Sequence, residues 1–124
     1  MVNSEKLQQI LKTISNEFKD EEYTIELWTN ELTSICPYTN LPDFYELLII
    51  YIPCKNILEL KSLKFYLSEF RNIKITHESL LNVIFKHLLN LLKPKYLKVE
   101  LHVNIRGGVK AKLKREYGGN YEAN

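Results

Sequence analysis

Residues 97–105 alternate without a break: Leu97, Val99, Leu101, Val103 and Ile105 are apolar, and Lys98, Glu100, His102 and Asn104 between them are polar. Successive side chains on a strand point to opposite faces, so this pattern demands a strand with one face in a core and one face outside it. Arg106-Gly107-Gly108 reads as a turn, and Val109, Ala111 and Leu113 alternate on a returning strand. A hairpin with one apolar face must cover that face with another layer.

The covering layer is legible upstream. Residues 59–72 carry Leu60, Leu63, Leu67 and Phe70 at helical spacing. Thr76 can cap a second helix with Glu78 in its first turn, Leu80, Leu81, Ile84, Leu88 and Leu91 inside, and Pro94 just beyond. Before the helices, Tyr23, Ile25 and Leu27 alternate on a strand, and residues 44–52 are nearly all apolar and β-prone, the mark of a strand buried on both faces. Pro53 ends it. Between these strands, residues 33–43 hold Pro37, Asn40, Pro42 and Asp43, which predicts an irregular loop. At the start, Ser4 can cap a helix within residues 1–20 that aligns Leu7, Ile10, Leu11, Ile14 and Phe18. Residues from 118 onward are expected to form a disordered tail.

The order is strand, strand, helix, helix, strand, strand, behind an extra N-terminal helix. The expected fold is α+β: one domain over residues 21–117, a four-stranded antiparallel ββααββ sheet with two helices on one face. Its open edges invite pairing with neighbouring subunits. A length of 124 residues fits one domain.

A net charge of +2 suits a phosphate-bearing ligand and falls short of a dedicated nucleic-acid binder. No apolar run approaches the roughly 20 residues of a membrane span, and residues 1–12 lack a signal-peptide core. Cys36 and Cys54 read as reduced thiols of a cytoplasmic protein. Three scattered histidines and two cysteines make no zinc pattern, so no metal is expected. Neither a P-loop nor a G-x-G-x-x-G motif is present, so any nucleotide binds without those devices.

Cys36 is the candidate nucleophile. It lies in the breaker-rich loop with Asp43 seven residues on, and a carboxyl beside a thiol can relay a proton during attack on an electrophilic carbon. Taken singly, the blander accounts are a small inert hydrophobe for Cys36 and a turn residue for Asp43. Lys61 and Lys64 share a helix face, as an ordinary solvated face or as a phosphate clamp that Arg106 in the glycine turn can join. His77 and Glu78 open the second helix, where an acid complements the helix dipole or accepts two N–H bonds from a purine-like ring. His87 and His102 read as surface or rim residues.

The segment Glu31-Leu32-Thr33-Ser34-Ile35-Cys36-Pro37-Tyr38-Thr39-Asn40-Leu41-Pro42-Asp43-Phe44 resembles the active-site segment of the NADPH-dependent 7-cyano-7-deazaguanine reductases, which make the aminomethyl precursor of the tRNA base queuosine. Glu59-Leu60-Lys61-Ser62-Leu63-Lys64-Phe65-Tyr66 is similar to the motif that separates these reductases from their relatives, with Phe65 where Leu or Tyr is usual. Phe70-Arg71-Asn72, His77-Glu78 and Arg106-Gly107-Gly108 fall in the family's order as well.

The resemblance implies a tunnelling fold whose sheets join into an oligomeric barrel, with active sites between identical subunits. It implies Cys36 as the nucleophile that forms a thioimide with the nitrile and Asp43 as proton donor. It further implies that Leu58, Glu59, Leu60, His77 and Glu78 hold the deazaguanine ring, and that Lys61, Lys64 and Arg106 contact NADPH. Leu80 stands where some members carry a second cysteine, so no protective disulfide to Cys36 is expected. Two other readings compete. A branch of the same superfamily uses ammonia to turn the nitrile on tRNA into an amidine, giving archaeosine; direct tRNA binding is expected only in that case. A catalytically silent purine-binding module is the other, since fold alone does not fix chemistry.

Overall fold

The computed structural model describes residues 3–118, with the side chain of Arg106 outside the description. The element order is α1 (Ser4–Ile10), β1 (Thr13–Ser15), β2 (Ile25–Ile35), β3 (Pro42–Ile52), β4 (Asn56–Leu58), α2 (Leu60–Ser68) with a 3₁₀ turn (Glu69–Asn72), α3 (His77–Leu92), β5 (Tyr96–Arg106) and β6 (Val109–Tyr117). The main sheet has the order β2-β3-β5-β6, every pair antiparallel. This is the expected ββααββ arrangement. The sheet is open, with β2 and β6 at its edges.

The alternation does what it demanded as far as Val103; Ile105, where the β5–β6 register shifts, is exposed instead of buried. Leu97, Val99 and Leu101 are buried with Leu80, Ile84, Leu88, Tyr66 and Phe70 from the helical layer. On the opposite face of β5, Glu100 binds Lys98 at 3.0 Å and His102 at 2.9 Å. Arg106 pairs with Val109, and Gly107 and Gly108 take φ of 57° and 81°. Positive φ at both central positions is the requirement of the two-residue turn that matches strand twist.

Four expectations are corrected. The N-terminal helix stops at Ile10, because tertiary hydrogen bonds capture the next residue: Lys12 N–H donates to Ser62 Oγ at 2.9 Å, and Glu59 N–H donates to the Lys12 carbonyl at 2.9 Å. Thr13–Ser15 then pairs with Asn56–Leu58 as a small second sheet, and Ile14 and Phe18 are exposed.

The irregular segment is shorter than residues 33–43. Ser34 pairs with Asp43 and Ile35 with Pro42, so the hairpin ladder confines the loop to residues 36–41. β3 is not buried on both faces: Tyr45, Leu47, Ile49 and Tyr51 are buried, while Phe44 is exposed and Leu48, Ile50 and Ile52 are partly so, because the described residues place no second layer there. His87 is no surface residue. It is buried because both ring nitrogens find partners, Ser4 Oγ at 2.6 Å and Tyr66 Oη at 2.8 Å. The expected disordered tail lies, from residue 119 on, outside the described residues.

Candidate active site

Two hydrogen bonds close the loop after β2. Cys36 N–H donates to the Leu41 carbonyl and Asn40 N–H to the Cys36 carbonyl, each at 2.9 Å. Asn40 takes a φ of 61°, a left-handed conformation that asparagine tolerates better than most residues. The turn thus wraps around the sulfur. The Thr39 hydroxyl, then the backbone N–H groups of Thr39 and Tyr38, hold the Cys36 thiol below its usual range; desolvation and the nearby Asp43 charge oppose them. A thiol stabilised as thiolate is the form that attacks carbon.

Asp43 enters from the first residues of β3 and is only 3% exposed. A parallel bridge brings in the third component. Ile35 N–H donates to the Ile73 carbonyl at 2.9 Å, and Ile75 N–H donates to the Ile35 carbonyl at 3.0 Å. This ties the end of β2 to the entry of α3, where Thr76 Oγ1 caps the helix by accepting from Ser79 N–H. His77 follows at once, with Nδ1 3.9 Å from Asp43 Oδ2 and 2.9 Å from Tyr45 Oη. Glu78 is exposed beside it. One end of the sheet therefore gathers Cys36, Asp43, His77 and Glu78.

Leu58, Glu59, Leu60, Lys61 and Lys64 are not in that gathering. Leu63 of α2 lines a small cavity with Leu27 and Thr29, near the start of β2. From Thr29 to Cys36 the strand covers on the order of 20 Å at about 3.3 Å per residue. Leu58 is core, 2% exposed, and its N–H donates to Tyr51 Oη. Glu59 caps α2: its carboxylate accepts from Lys61 N–H and Ser62 N–H, each at 2.8 Å, and these bonds hold it below the usual carboxylate range. Leu60 is exposed. Lys64 and Leu60 border a groove of about 510 Å³ between β2 and α2, together with Trp28, Ser68 and Arg71. Lys61 is exposed on the same helix. Solvated cations beside a groove fit the phosphates of a dinucleotide. The side chain of Arg106 lies outside the described residues. Among the described residues no three His, Cys, Asp or Glu side chains could hold a metal ion.

Sequence reasoning missed Thr39, Ser34, Tyr45 and Arg71. Tyr45 had a signal: it stands two residues after Asp43, so strand alternation places both on one face.

An α+β domain that sets a thiol held below its usual range and a buried carboxyl at one end of an antiparallel sheet has the pair of groups that covalent catalysis employs. Comparison with known proteins narrows this. Residues 42–122 match the family model described as QueF-like protein. The chain is 48% identical over 102 residues to the NADPH-dependent 7-cyano-7-deazaguanine reductase of Chlorobium phaeobacteroides (strain BS1), covering 82% of this chain and 86% of that protein. It is 41% identical over 110 residues to the protein of that name from Prosthecochloris aestuarii, covering 89% and 93%. The crystal structure of an archaeosine synthase QueF-Like in the apo form aligns with a TM-score of 0.72 and 27% identity, covering 77% of this chain and 94% of that one. The chain belongs to the QueF-like family, and its fold is the tunnelling fold.

Proposed function

We propose that this chain uses NADPH to reduce the nitrile of 7-cyano-7-deazaguanine to the aminomethyl group, through a thioimide on Cys36. Relatives of 39–48% identity over most of the chain carry that reductase name. The observation that carries the mechanism is the wrapped Cys36 thiol beside buried Asp43, with His77 and Glu78 delivered to the same end of the sheet.

The Cys36 thiolate adds to the nitrile carbon. The displaced electron pair goes to nitrogen, which takes the proton of Asp43, giving the thioimide. NADPH, when bound, supplies hydride to the same carbon. With a proton on nitrogen the adduct is a hemithioaminal, whose C–S bond breaks to return thiolate and release an imine. A second hydride and proton complete the amine. Burial of Asp43 keeps bulk water from the proton-transfer site, and a closed site protects the imine from hydrolysis.

His77 and Glu78 hold the deazaguanine ring, and Lys61, Lys64 and Arg106 hold the cofactor's phosphates. The Leu58–Leu60 segment lies too far along β2 to reach the Cys36 of its own chain, so each site draws that segment from a second copy. The active unit is a homo-oligomer whose open sheet edges join. We place it in the cytoplasm, where thiols stay reduced; no helix among the described residues is long and apolar enough to cross a membrane.

The archaeosine synthase likeness supports a second reading, because the same thioimide can accept ammonia instead of hydride. Incubation with 7-cyano-7-deazaguanine and NADPH decides. Oxidation of two NADPH per amine formed is expected; no oxidation, with amidine appearing on tRNA, reverses the assignment.

A further inference from the structure

The N-terminal arm bonds to one stretch of backbone almost residue by residue. Thr13, Ile14 and Ser15 pair with Leu58, Ile57 and Asn56. Beyond one end of this ladder, Asn16 N–H donates to the Lys55 carbonyl at 2.9 Å and Asn16 Nδ2 to the Cys54 carbonyl at 2.8 Å. Beyond the other end, Glu59 N–H donates to the Lys12 carbonyl and Lys12 N–H to Ser62 Oγ, each at 2.9 Å. Among the described residues, β4 has no strand partner other than β1. Residues 12–16 therefore line the run from Cys54 to Ser62. The arm is itself anchored: Leu7 and Leu11 lie in the core, and Ser4 Oγ meets the buried His87. The family-model match begins at residue 42, so the arm lies outside it.

Ser62 is where the arm meets the segment assigned to ligand. It is 5% exposed. Its hydroxyl accepts from Lys12 N–H and donates to the Glu59 carbonyl at 2.7 Å. Its own N–H donates to Glu59 Oε1, as Lys61 N–H does to Oε2, each at 2.8 Å. Backbone and carboxylate of Glu59 are thus both fixed by bonds that pass through Ser62 or return to Lys12. The blander account is that the arm only covers the apolar side of α2. Apolar contact from α1 achieves that cover, with Leu7 and Leu11 buried. It does not require the run of polar bonds after α1, aimed at the backbone of residues 54–62. A hydrogen-bonded ladder fixes register as well as separation, which apolar contact does not.

We propose that the N-terminal arm is a positioning element of the active site, and that Ser62 is the positioning residue through which it holds Leu58, Glu59, Leu60 and Lys61 in place for their ligands. The proposal rests on the ring- and phosphate-binding roles assigned to that segment above. Ser62 acts through the backbone of Glu59 and the cap of α2. A binding group displaced by about an ångström loses much of its effect. The thiol loop is built on its own bonds, Cys36 N–H to the Leu41 carbonyl and Asn40 N–H to the Cys36 carbonyl, and does not depend on the arm.

The test compares the full-length protein with Ser62→Ala, which removes only the hydroxyl, by steady-state kinetics, amide hydrogen exchange and Cys36 alkylation. Ser62→Ala is expected to raise KM for 7-cyano-7-deazaguanine and for NADPH about tenfold, the cost of about one hydrogen bond, with kcat changed less than KM. Exchange is expected to quicken in residues 12–16 and 54–62, and iodoacetamide alkylation of Cys36 to stay at the wild-type rate. Lys12→Pro removes the N–H that Ser62 accepts and leaves the hydroxyl; the extended backbone of Leu11, with ψ of 136°, suits a following proline. It is expected to raise the same KM values and serves if Ser62→Ala does not fold. Quicker exchange in residues 54–62 with both KM values unmoved overturns the proposal, because the arm then only stabilises the fold. A fall in kcat at fixed KM overturns it as well. A wild-type chain that oxidises no NADPH in the presence of the nitrile overturns instead the functional reading beneath it.

Discussion

Asp43 stands directly opposite Ser34 in the β2–β3 ladder, and that register brings a carboxyl seven residues on back to the Cys36 end of the hairpin. Two steps beyond Ser34 the chain reaches Cys36; one step before Asp43 it leaves the loop. Thiol and carboxyl thus sit on the two sides of one hairpin mouth, held by the Cys36 N–H to Leu41 carbonyl bond. Asp43→Asn keeps the side chain's shape and removes its transferable proton. We expect the reduction rate to fall by roughly 10²–10⁴ with the melting temperature little changed. Mass spectrometry under substrate should show slower thioimide formation. A variant as fast as the parent would remove Asp43 from the mechanism.

The Thr39 hydroxyl is the largest influence holding the Cys36 thiol down. Hydrogen bonding to the thiolate favours the charged form, so its removal raises the pKa. Thr39→Val should therefore shift the acid limb of the iodoacetamide alkylation profile to higher pH and slow alkylation at neutral pH. Thr39→Ser should restore it. An unshifted profile would assign the activation to the backbone N–H groups alone.

How much of this was legible follows from the range of each signal. The β5–β6 hairpin was readable because alternation over nine residues and a double glycine speak locally. Thr13–Ser15 and Asn56–Leu58 were not, since three residues show no period, and Ile14 and Phe18 continued a helical spacing that Ser62 and Glu59 overrule from 50 residues away. Cys36 and Asp43 could be read as neighbours because one short segment carries both, and the ladder sets them at one hairpin mouth. Tyr45 was not connected to His77, because that contact depends on the Ile35–Ile73 tie between β2 and the entry of α3. The apolar outer face of β3 looked like double burial because composition cannot tell a face covered by the chain itself from one left open.

His87 fastens α1 to α2 through Ser4 and Tyr66, and burial holds its pKa below the ordinary value. A depressed folded-state pKa means the neutral form is the one the fold favours. The stability it contributes is fully present above the unfolded-state pKa of about 6.5 and is lost as pH falls through the lower folded value. The melting temperature should therefore decline on acidification below that point. His87→Ala should flatten the decline while costing about 1–3 kcal/mol at neutral pH, because the Tyr66 hydroxyl, at 0% exposure, loses its partner. Thermal unfolding across pH 5–8 checks both, and an equal slope in the variant would assign the acid sensitivity elsewhere.

Lys61 and Lys64 stand on the solvent-facing side of α2, with Lys64 at the rim of the β2–α2 groove. If they read phosphate, truncation must discriminate between cofactors. Lys61→Ala should raise KM for NADPH several times more than KM for NADH, since only the former carries the 2′-phosphate. Parallel losses for both cofactors would move Lys61 to the shared pyrophosphate or out of the site. Steady-state kinetics with each cofactor separates these outcomes.

The separation along β2 makes the last prediction. Within one chain the strand from Thr29 to Cys36 spans on the order of 20 Å, with Leu63 packed near its beginning and Ile73 tied to its end. A site needing both Cys36 and the Glu59 segment must take them from different copies. Cys36→Ala and Glu59→Ala oligomers should each be inactive alone. Co-expressed with two different tags and purified through both, the mixed oligomer should recover activity, because some interfaces pair an intact Cys36 from one chain with an intact Glu59 from the other. Recovery cannot occur if both residues act within a single chain, since every chain in the mixture lacks one of them. A doubly tagged oligomer as inactive as its parents would return the whole site to one subunit and require Glu59 to serve α2 alone.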